Sequence, residues 1–157
     1  MKRKVDLLLK EYGESHQNST NKLIHWICVP FILFSIFGLL MSLPFFGQKS
    51  AIVNWAAIAF ILALIYYLRL SIPLFVGFMV VGLLFIAANY KIYEMVQYQS
   101  TKHALISLTI FVAAWIGQFY GHHIEGKKPS FLKDLQFLLV GPAWLLHFVY
   151  EKWNIRY

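Results

Sequence analysis

The chain has little charge and almost no cysteine. Charged residues make up 13% of its 157 residues, well below the roughly one quarter that is usual in a soluble domain. This scarcity excludes an ordinary soluble fold, while 59% hydrophobic and 18% aromatic residues indicate one unit, residues 1–157, embedded mostly in lipid. The lone cysteine, Cys28, excludes an internal disulfide and does not reveal the cellular compartment.

Long apolar runs dominate the sequence instead. A helix that spans a bilayer needs about 20 apolar residues, and four runs come close to that length. They lie at about 21–43, 51–67, 72–90 and 104–121. Only four residues separate the second run from the third, which predicts an antiparallel helical hairpin. The polar stretch 91–103 is expected to form a short link.

The two ends of the chain differ from these runs. Residues 2–16 place apolar side chains at helical spacing among charged ones, which predicts an amphipathic helix. The stretch 131–150 is apolar but contains polar residues and the Gly141-Pro142 pair, so we expect a broken, re-entrant or interfacial helix. A fifth span stays open as an alternative. The predicted fold is an all-α integral membrane helical bundle with about four transmembrane helices.

The net charge of +7 arises from basic residues that stand singly or in pairs at the edges of apolar runs. That distribution is typical of membrane flanks and argues against nucleic-acid binding. With four spans, 11 of the 14 basic residues fall on the side of the amino terminus. Because basic residues are enriched in cytoplasmic loops, this side is predicted to be cytoplasmic.

Polar side chains cluster where the fourth apolar run ends, in the sequence WIGQFYGHHIEGKKP at 115–129. Residues three and four apart share a helix face, so Gln118, His122 and Glu125 point one way and His123 points elsewhere. An imidazole beside a carboxylate at the end of a membrane-length helix indicates metal or proton chemistry at a membrane surface.

Two further histidines flank the start of the first apolar run. His16 and His25 are nine residues apart and would lie on opposite sides of one straight helix. The cluster of turn formers and helix caps between them, SHQNSTN, predicts a break that lets the chain fold back. In the four-span topology both histidines then lie at the same membrane face as His122.

For several of these residues a simpler interpretation exists. His103 and His147 are expected to be amphipathic side chains at head-group level, and His123 a solvated one. Tyr12 and Trp26 are interpreted as interface anchors. Lys127 and Lys128 serve equally well as topology signals or as carboxylate-binding groups.

The chemistry of three histidines and a carboxylate is that of a transition metal. Neutral imidazoles bind zinc, iron, copper or nickel, and such a site with open positions suits non-haem Fe(II) and O2. Asn21 and Gln118 each lie four residues before a candidate ligand, where they can hold an imidazole or a bound water. Apolar helix faces nearby can hold an acyl chain.

Two motifs of this chain resemble the membrane-embedded 2-hydroxy fatty acid dioxygenases. They are Tyr12-x3-His16-x4-Asn21-x3-His25-Trp26-x3-Pro30 and Gln118-Phe119-x-Gly121-His122-x2-Glu125-Gly126-x2-Pro129. The fungal member of this family degrades phytosphingosine to odd-chain acids. The closing sequence DLQFLLVGPAWLLHFVY is similar to the bacterial members, which favours a bacterial inner membrane over the endoplasmic reticulum of a eukaryote.

The resemblance implies an enzyme that uses Fe(II) and O2 to cleave C1–C2 of a 2-hydroxy fatty acid. The matching histidines, His16, His25 and His122, are then the metal ligands, and His123 and His147 are weaker candidates. Glu125 is expected to be a fourth ligand or a proton acceptor. The remaining candidates are Asn21, Gln118 and Tyr12 in catalysis and Lys127 and Lys128 in substrate binding.

Two other classes of protein stay open at this point. A metal-dependent membrane hydroxylase or hydrolase also uses histidine and carboxylate ligands, although six histidines are few for a di-iron set. A non-enzymatic scaffold or a transporter is disfavoured, because the apolar runs are almost free of the ionisable residues that line a transport pathway. The small bundle is also compatible with a homodimer.

Overall fold

The computed structural model describes residues 3–46, 50–126 and 131–156, with only the backbone over 131–137. All regular structure in these residues is helical, as the composition predicted. The six helices are α1 (Lys4–Gly13), α2 (Ser19–Ser42), α3 (Trp55–Leu70), α4 (Ile72–Met95), α5 (Ser100–Glu125) and α6 (Phe131–Lys152).

Three of the described helices are long and apolar enough to cross a membrane. They are α2, α4 and α5, with 24, 24 and 26 residues, whereas the equally apolar α3 has only 16. Large apolar side chains are exposed on these helices, for example Leu62 on α3, Leu84 on α4 and Ile116 on α5, as expected for helices that face lipid. The membrane helical bundle is confirmed, and the choice between four and five spans stays a prediction.

The expected link at 91–103 is wrong in its extent. Helix α4 continues to Met95 and α5 begins at Ser100, so only four residues join them. Gln97 and Tyr98 make this turn with positive φ angles of 55° and 60°. The polar residues at the ends of both helices continue the helical hydrogen bonding, because leaving the apolar layer does not require leaving the helix.

The last helix is unbroken at Gly141-Pro142, so the break or re-entrant loop that we considered there does not occur. A proline inside a helix removes one backbone hydrogen bond and bends the helix without necessarily ending it. Here tertiary packing holds the segment in place, since Val140, Ala143 and Trp144 around the proline are all buried.

Helices α2 and α5 pack against each other more extensively than any other pair. They run antiparallel, with Asn21 near the start of α2 beside Gly121 near the end of α5, and Gly38 beside Ser107 at the opposite end. Both glycines lie so close to the partner helix that an added Cβ would collide with it. This close approach brings the amino end of α2 and the carboxyl end of α5 together.

Candidate metal centre

Three histidines converge where α2 begins and α5 ends. His16 Nε2 lies 2.8 Å from His25 Nε2. One ring nitrogen of each of these histidines and one of His122 all lie within 4.8 Å of one another. His16 and His25 are buried, and His122 is partly buried. The three histidines therefore converge as predicted.

The loop between α1 and α2 makes this arrangement possible. Helix α1 ends at Gly13, and α2 begins at Ser19 because the Asn18 side chain accepts hydrogen bonds from Thr20 N–H and Asn21 N–H. His16 lies in the loop, and His25 lies in the second turn of α2, so the loop folds His16 back onto His25.

Backbone carbonyls determine which nitrogens of two of the histidines carry the proton. His16 Nδ1 lies 2.6 Å from the carbonyl oxygen of Tyr12, and His25 Nδ1 lies 2.9 Å from that of Asn21. A carbonyl oxygen only accepts, so in both rings Nδ1–H is the donor. In the neutral rings each Nε2 then carries a lone pair.

The two Nε2 lone pairs face each other across 2.8 Å. Two lone pairs at hydrogen-bonding distance repel unless a proton or a metal ion lies between them. Histidine ligands of metals commonly have this pattern, with the other ring N–H donated to a backbone carbonyl or a carboxylate. The donor set therefore fits a metal ion that prefers imidazole nitrogen, such as iron or zinc.

Two aromatic rings pack against His16. The Tyr12 ring stacks on His16 with centroids 4.2 Å apart and an interplanar angle of 12°. The Trp144 ring of α6 lies 5.3 Å from the His16 ring and 5.4 Å from the Tyr12 ring. Tyr12 is buried, so its interpretation as an interface anchor is wrong.

Trp144 was not identified as a site residue from the sequence, although it lies in the closing segment that resembles the bacterial dioxygenases. Its position could be recognised only once α6 was placed against α1. Trp26, the other proposed anchor, is 40% exposed, which is compatible with an interfacial position.

Glu125 joins the end of α5 to the loop that carries His16. Its carboxylate accepts hydrogen bonds from Gln17 N–H at 2.7 Å, Asn18 N–H at 3.0 Å and Asn21 Nδ2 at 3.0 Å. Among the described residues, the group that can hold a metal consists of the three histidines without Glu125. Its role as a fourth ligand or a proton acceptor stays a prediction.

The two amide side chains of the site differ in their contacts. The Asn21 side chain donates to Glu125 and not to His25, whose imidazole is held by the Asn21 backbone carbonyl instead. Gln118 lies one turn before His122 and is 5% exposed, and its Oε1 is buried without a hydrogen-bond partner among the described residues. A buried amide oxygen of this kind favours a bound donor group.

The other candidates lie outside the cluster. His123 is exposed, and His147 Nε2 lies 3.4 Å from Glu151 Oε2 on α6. His103 is fully buried with Nδ1 2.9 Å from Ser42 Oγ, so its interpretation as an interfacial side chain is wrong. Lys127 and Lys128 lie outside the described residues.

Comparison with known proteins agrees with this arrangement. A family model described as 2-hydroxy-palmitic acid dioxygenase Mpo1-like matches residues 3–153. The chain belongs to the Mpo1-like family. The resemblance inferred from the two histidine motifs is thereby confirmed, and both motifs lie inside the matched range. Neither the curated proteins nor the solved structures contain a match to this chain.

Proposed function

We propose that this protein is an Fe(II)-dependent dioxygenase that cleaves C1–C2 of 2-hydroxy fatty acids and releases the acid that is one carbon shorter. The 2-hydroxy acid and O2 are converted to the shortened acid, carbon dioxide and water, so O2 is the only oxidant that the reaction requires. Family membership supports the reaction class, and the residues at the convergence of α2 and α5 support a metal-dependent chemistry.

The main structural support for this proposal is the pair of facing Nε2 atoms of His16 and His25. Two buried imidazoles, each with Nδ1–H donated to a carbonyl, present lone pairs to one point between two helices and a loop. Together with His122 they form a three-nitrogen set that leaves coordination positions open. Fe(II) held by these imidazoles would supply the activation of O2 for attack on the substrate.

The other side chains of the site position these groups and the substrate. Glu125 holds the loop that contains His16 against the end of α5 through its three hydrogen bonds. Gln118 Oε1 accepts a hydrogen bond from the 2-hydroxyl of the substrate, since no described residue donates to this buried oxygen. Tyr12 and Trp144 keep water from the His16 side of the cluster.

The two lysines that follow α5 in the sequence attract the carboxylate of the substrate. Lys127 and Lys128 stand directly after Gly126, within a few residues of His122. On the membrane surface such a pair attracts an acid over a distance of about one Debye length. We place the reaction at the cytoplasmic face, since the excess of basic residues lies on that side in the four-span topology.

The test is the metal content of protein purified in mild detergent, for wild type, His122→Ala and His123→Ala. These two variants remove neighbouring imidazoles, one in the cluster and one exposed. We expect iron close to one equivalent in wild type and in His123→Ala, and none in His122→Ala. Consumption of O2 with 2-hydroxypalmitic acid should follow the iron. Equal O2 consumption by all three proteins would contradict the assignment.

A metal-dependent hydrolase is the second candidate, because a set of three histidines is also a catalytic zinc site. The same metal analysis separates the two functions. Zinc at one equivalent, with activity that survives the removal of O2, would identify the hydrolase and exclude the dioxygenase.

A further inference from the structure

An apolar groove lies between α2, α4 and α6, one helical turn beyond the histidine cluster. Its volume is about 200 Å³, and all eleven residues that line it have apolar or aromatic side chains. They include Val29 and Leu33 of α2, Val81 of α4, and Leu145 and Val149 of α6. No side chain of the histidine cluster is among the lining residues, so the groove is a separate space.

The groove continues the face of α2 that carries His25. Val29 lies four residues after His25 and Leu33 eight residues after it, which places them about 6 and 12 Å further along the helix axis. Residues four apart are neighbours on a helix surface. The groove therefore begins next to the metal ligand and leads away from it along the helix.

Two contacts of α6 connect the groove to the cluster. Gly141 lies between them, since a Cβ there would be 3.1 Å from the Tyr12 hydroxyl and 3.4 Å from Val29 Cγ1. Trp144, which packs beside His16, also contacts Phe148, and Phe148 in turn lies against Trp26 at the groove. These packing contacts place the apolar groove directly beside the histidine cluster.

We propose that this groove binds the first part of the acyl chain of the 2-hydroxy acid and so places C2 at the histidine cluster, an inference that rests on the proposed function. An all-apolar lining excludes the carboxylate and the hydroxyl, whose burial without partners costs free energy. An alkyl chain loses nothing there and gains packing. The volume is below that of a typical pocket for a whole ligand, so the distal carbons extend into the bilayer.

Adjacent valines on α4 give a matched pair of variants. Val81 lines the groove, whereas Val80 is 51% exposed on the lipid side of the same helix. Val81→Phe fills the groove, and Val80→Phe adds the same side chain outside it. Val149→Phe narrows the groove from α6 and replaces Val81→Phe if that variant does not fold.

The first measurement is the preference for 2-hydroxypalmitic over 2-hydroxybutanoic acid, expressed as the ratio of the two kcat/KM values. We expect Val81→Phe to lower this ratio about tenfold or more, mainly through the KM of the long acid, and Val80→Phe to leave it unchanged. Equal ratios in Val80→Phe and Val81→Phe would overturn the groove as the acyl site.

The second measurement needs no turnover and separates the groove from the proposed function. A 2-hydroxy fatty acid with a photoreactive diazirine in the first half of its chain is cross-linked to the iron-depleted protein, and the adducts are mapped. Adducts on groove residues that disappear in Val81→Phe but persist in Val80→Phe support the proposal. Adducts spread over lipid-facing residues such as Leu83 and Leu84 mean simple partition into the bilayer and overturn it.

The two results together identify which idea fails. Groove adducts without any O2 consumption would leave a fatty-acid site in a protein that is not a dioxygenase. Consumption of O2 without groove adducts would keep the dioxygenase and remove the acyl site. A second copy of the chain that covers the groove would prevent groove adducts, and a dimer found together with their absence would also remove the acyl site.

Discussion

The antiparallel pair of α2 and α5 contains a buried histidine at each end, and the two differ in their partners. His25 is 1% exposed and His103 is 0% exposed. At one end, Nδ1 of His25 lies by a backbone carbonyl and Nε2 faces another imidazole. At the other end, His103 Nδ1 contacts the Ser42 hydroxyl, and its ring lies beside Tyr93.

This comparison teaches that burial of a histidine does not identify a metal site. The Ser42 hydroxyl donates its hydrogen to the Gly38 carbonyl, so its oxygen accepts from His103 Nδ1–H, and the contact joins a donor to an acceptor. Two Nε2 atoms with lone pairs cannot satisfy each other. Convergence of like acceptors therefore distinguishes the functional end of the helix pair from the structural end.

The largest expected difference between the two ends is the effect of removing each histidine. His25→Ala should abolish stoichiometric metal binding, because one of three ligands is lost. His103→Ala should keep the metal but lower the free energy of unfolding by about 1–3 kcal/mol, since it leaves a cavity and removes the hydrogen bond to Ser42.

Metal analysis by mass spectrometry and thermal unfolding in detergent measure both effects. Retention of metal by His25→Ala, or loss of metal from a folded His103→Ala protein, would contradict the assignment of metal binding to the end of the helix pair that contains His25.

A second comparison uses the two glycines of the helix contact. A Cβ at Gly121 would collide with Asn21 Oδ1, and one at Gly38 would collide with Ser107 and Asn89. We expect both Gly→Ala variants to be destabilised by about 1–3 kcal/mol through overpacking. Only Gly121→Ala should also weaken metal binding, because Asn21 bonds Glu125 and its carbonyl holds His25.

Chelator competition reports the metal affinity of each glycine variant, and a melting curve reports its stability. If Gly38→Ala weakened metal binding as much as Gly121→Ala did, the effect would be a general loosening of the helix pair.

The smallest expected effect comes from the groups that hold the histidines indirectly. Glu125→Gln replaces one acceptor oxygen by an amide donor among three donors, which should lower metal affinity on the order of tenfold. Ser42→Ala removes the partner of His103 and should leave metal affinity unchanged.

Isothermal titration of the metal-free proteins compares these two variants. A complete loss of metal binding in Glu125→Gln would instead indicate that Glu125 is a ligand. The site would then consist of three histidines and one carboxylate.

Sequence reasoning found much of the site because helical spacing and caps are local properties. The spacing of Gln118, His122 and Glu125 on one face follows from 3.6 residues per turn. The fold-back before α2 follows from the turn formers and helix caps in SHQNSTN, although the structure places the N-cap at Asn18 and the helix start at Ser19 rather than at about Asn21. The link between α4 and α5 is shorter than the polar stretch 91–103, since hydropathy reports whether a residue lies in the apolar layer and not whether it is helical.

Some features depended on contacts that no local pattern encodes. Trp144 lies 128 residues after His16, and only the packing of α6 against α1 brings their rings together. Pro142 predicted a break, but the burial of the residues around it maintains the helix. The roles of Asn21 and Gln118 likewise depend on which neighbours their amides meet.

The amino-acid sequence by itself determined the membrane-embedded helical class, the family and the three histidines, because composition, periodicity and short motifs are properties of nearby residues. Only the tertiary structure decided that His16 and His25 point their Nε2 lone pairs at each other, that Glu125 bonds the His16 loop, and that an apolar groove begins one turn further along α2. These features arise where helices distant in sequence pack together, and the close approach of α2 and α5 at Gly121 brings them into register.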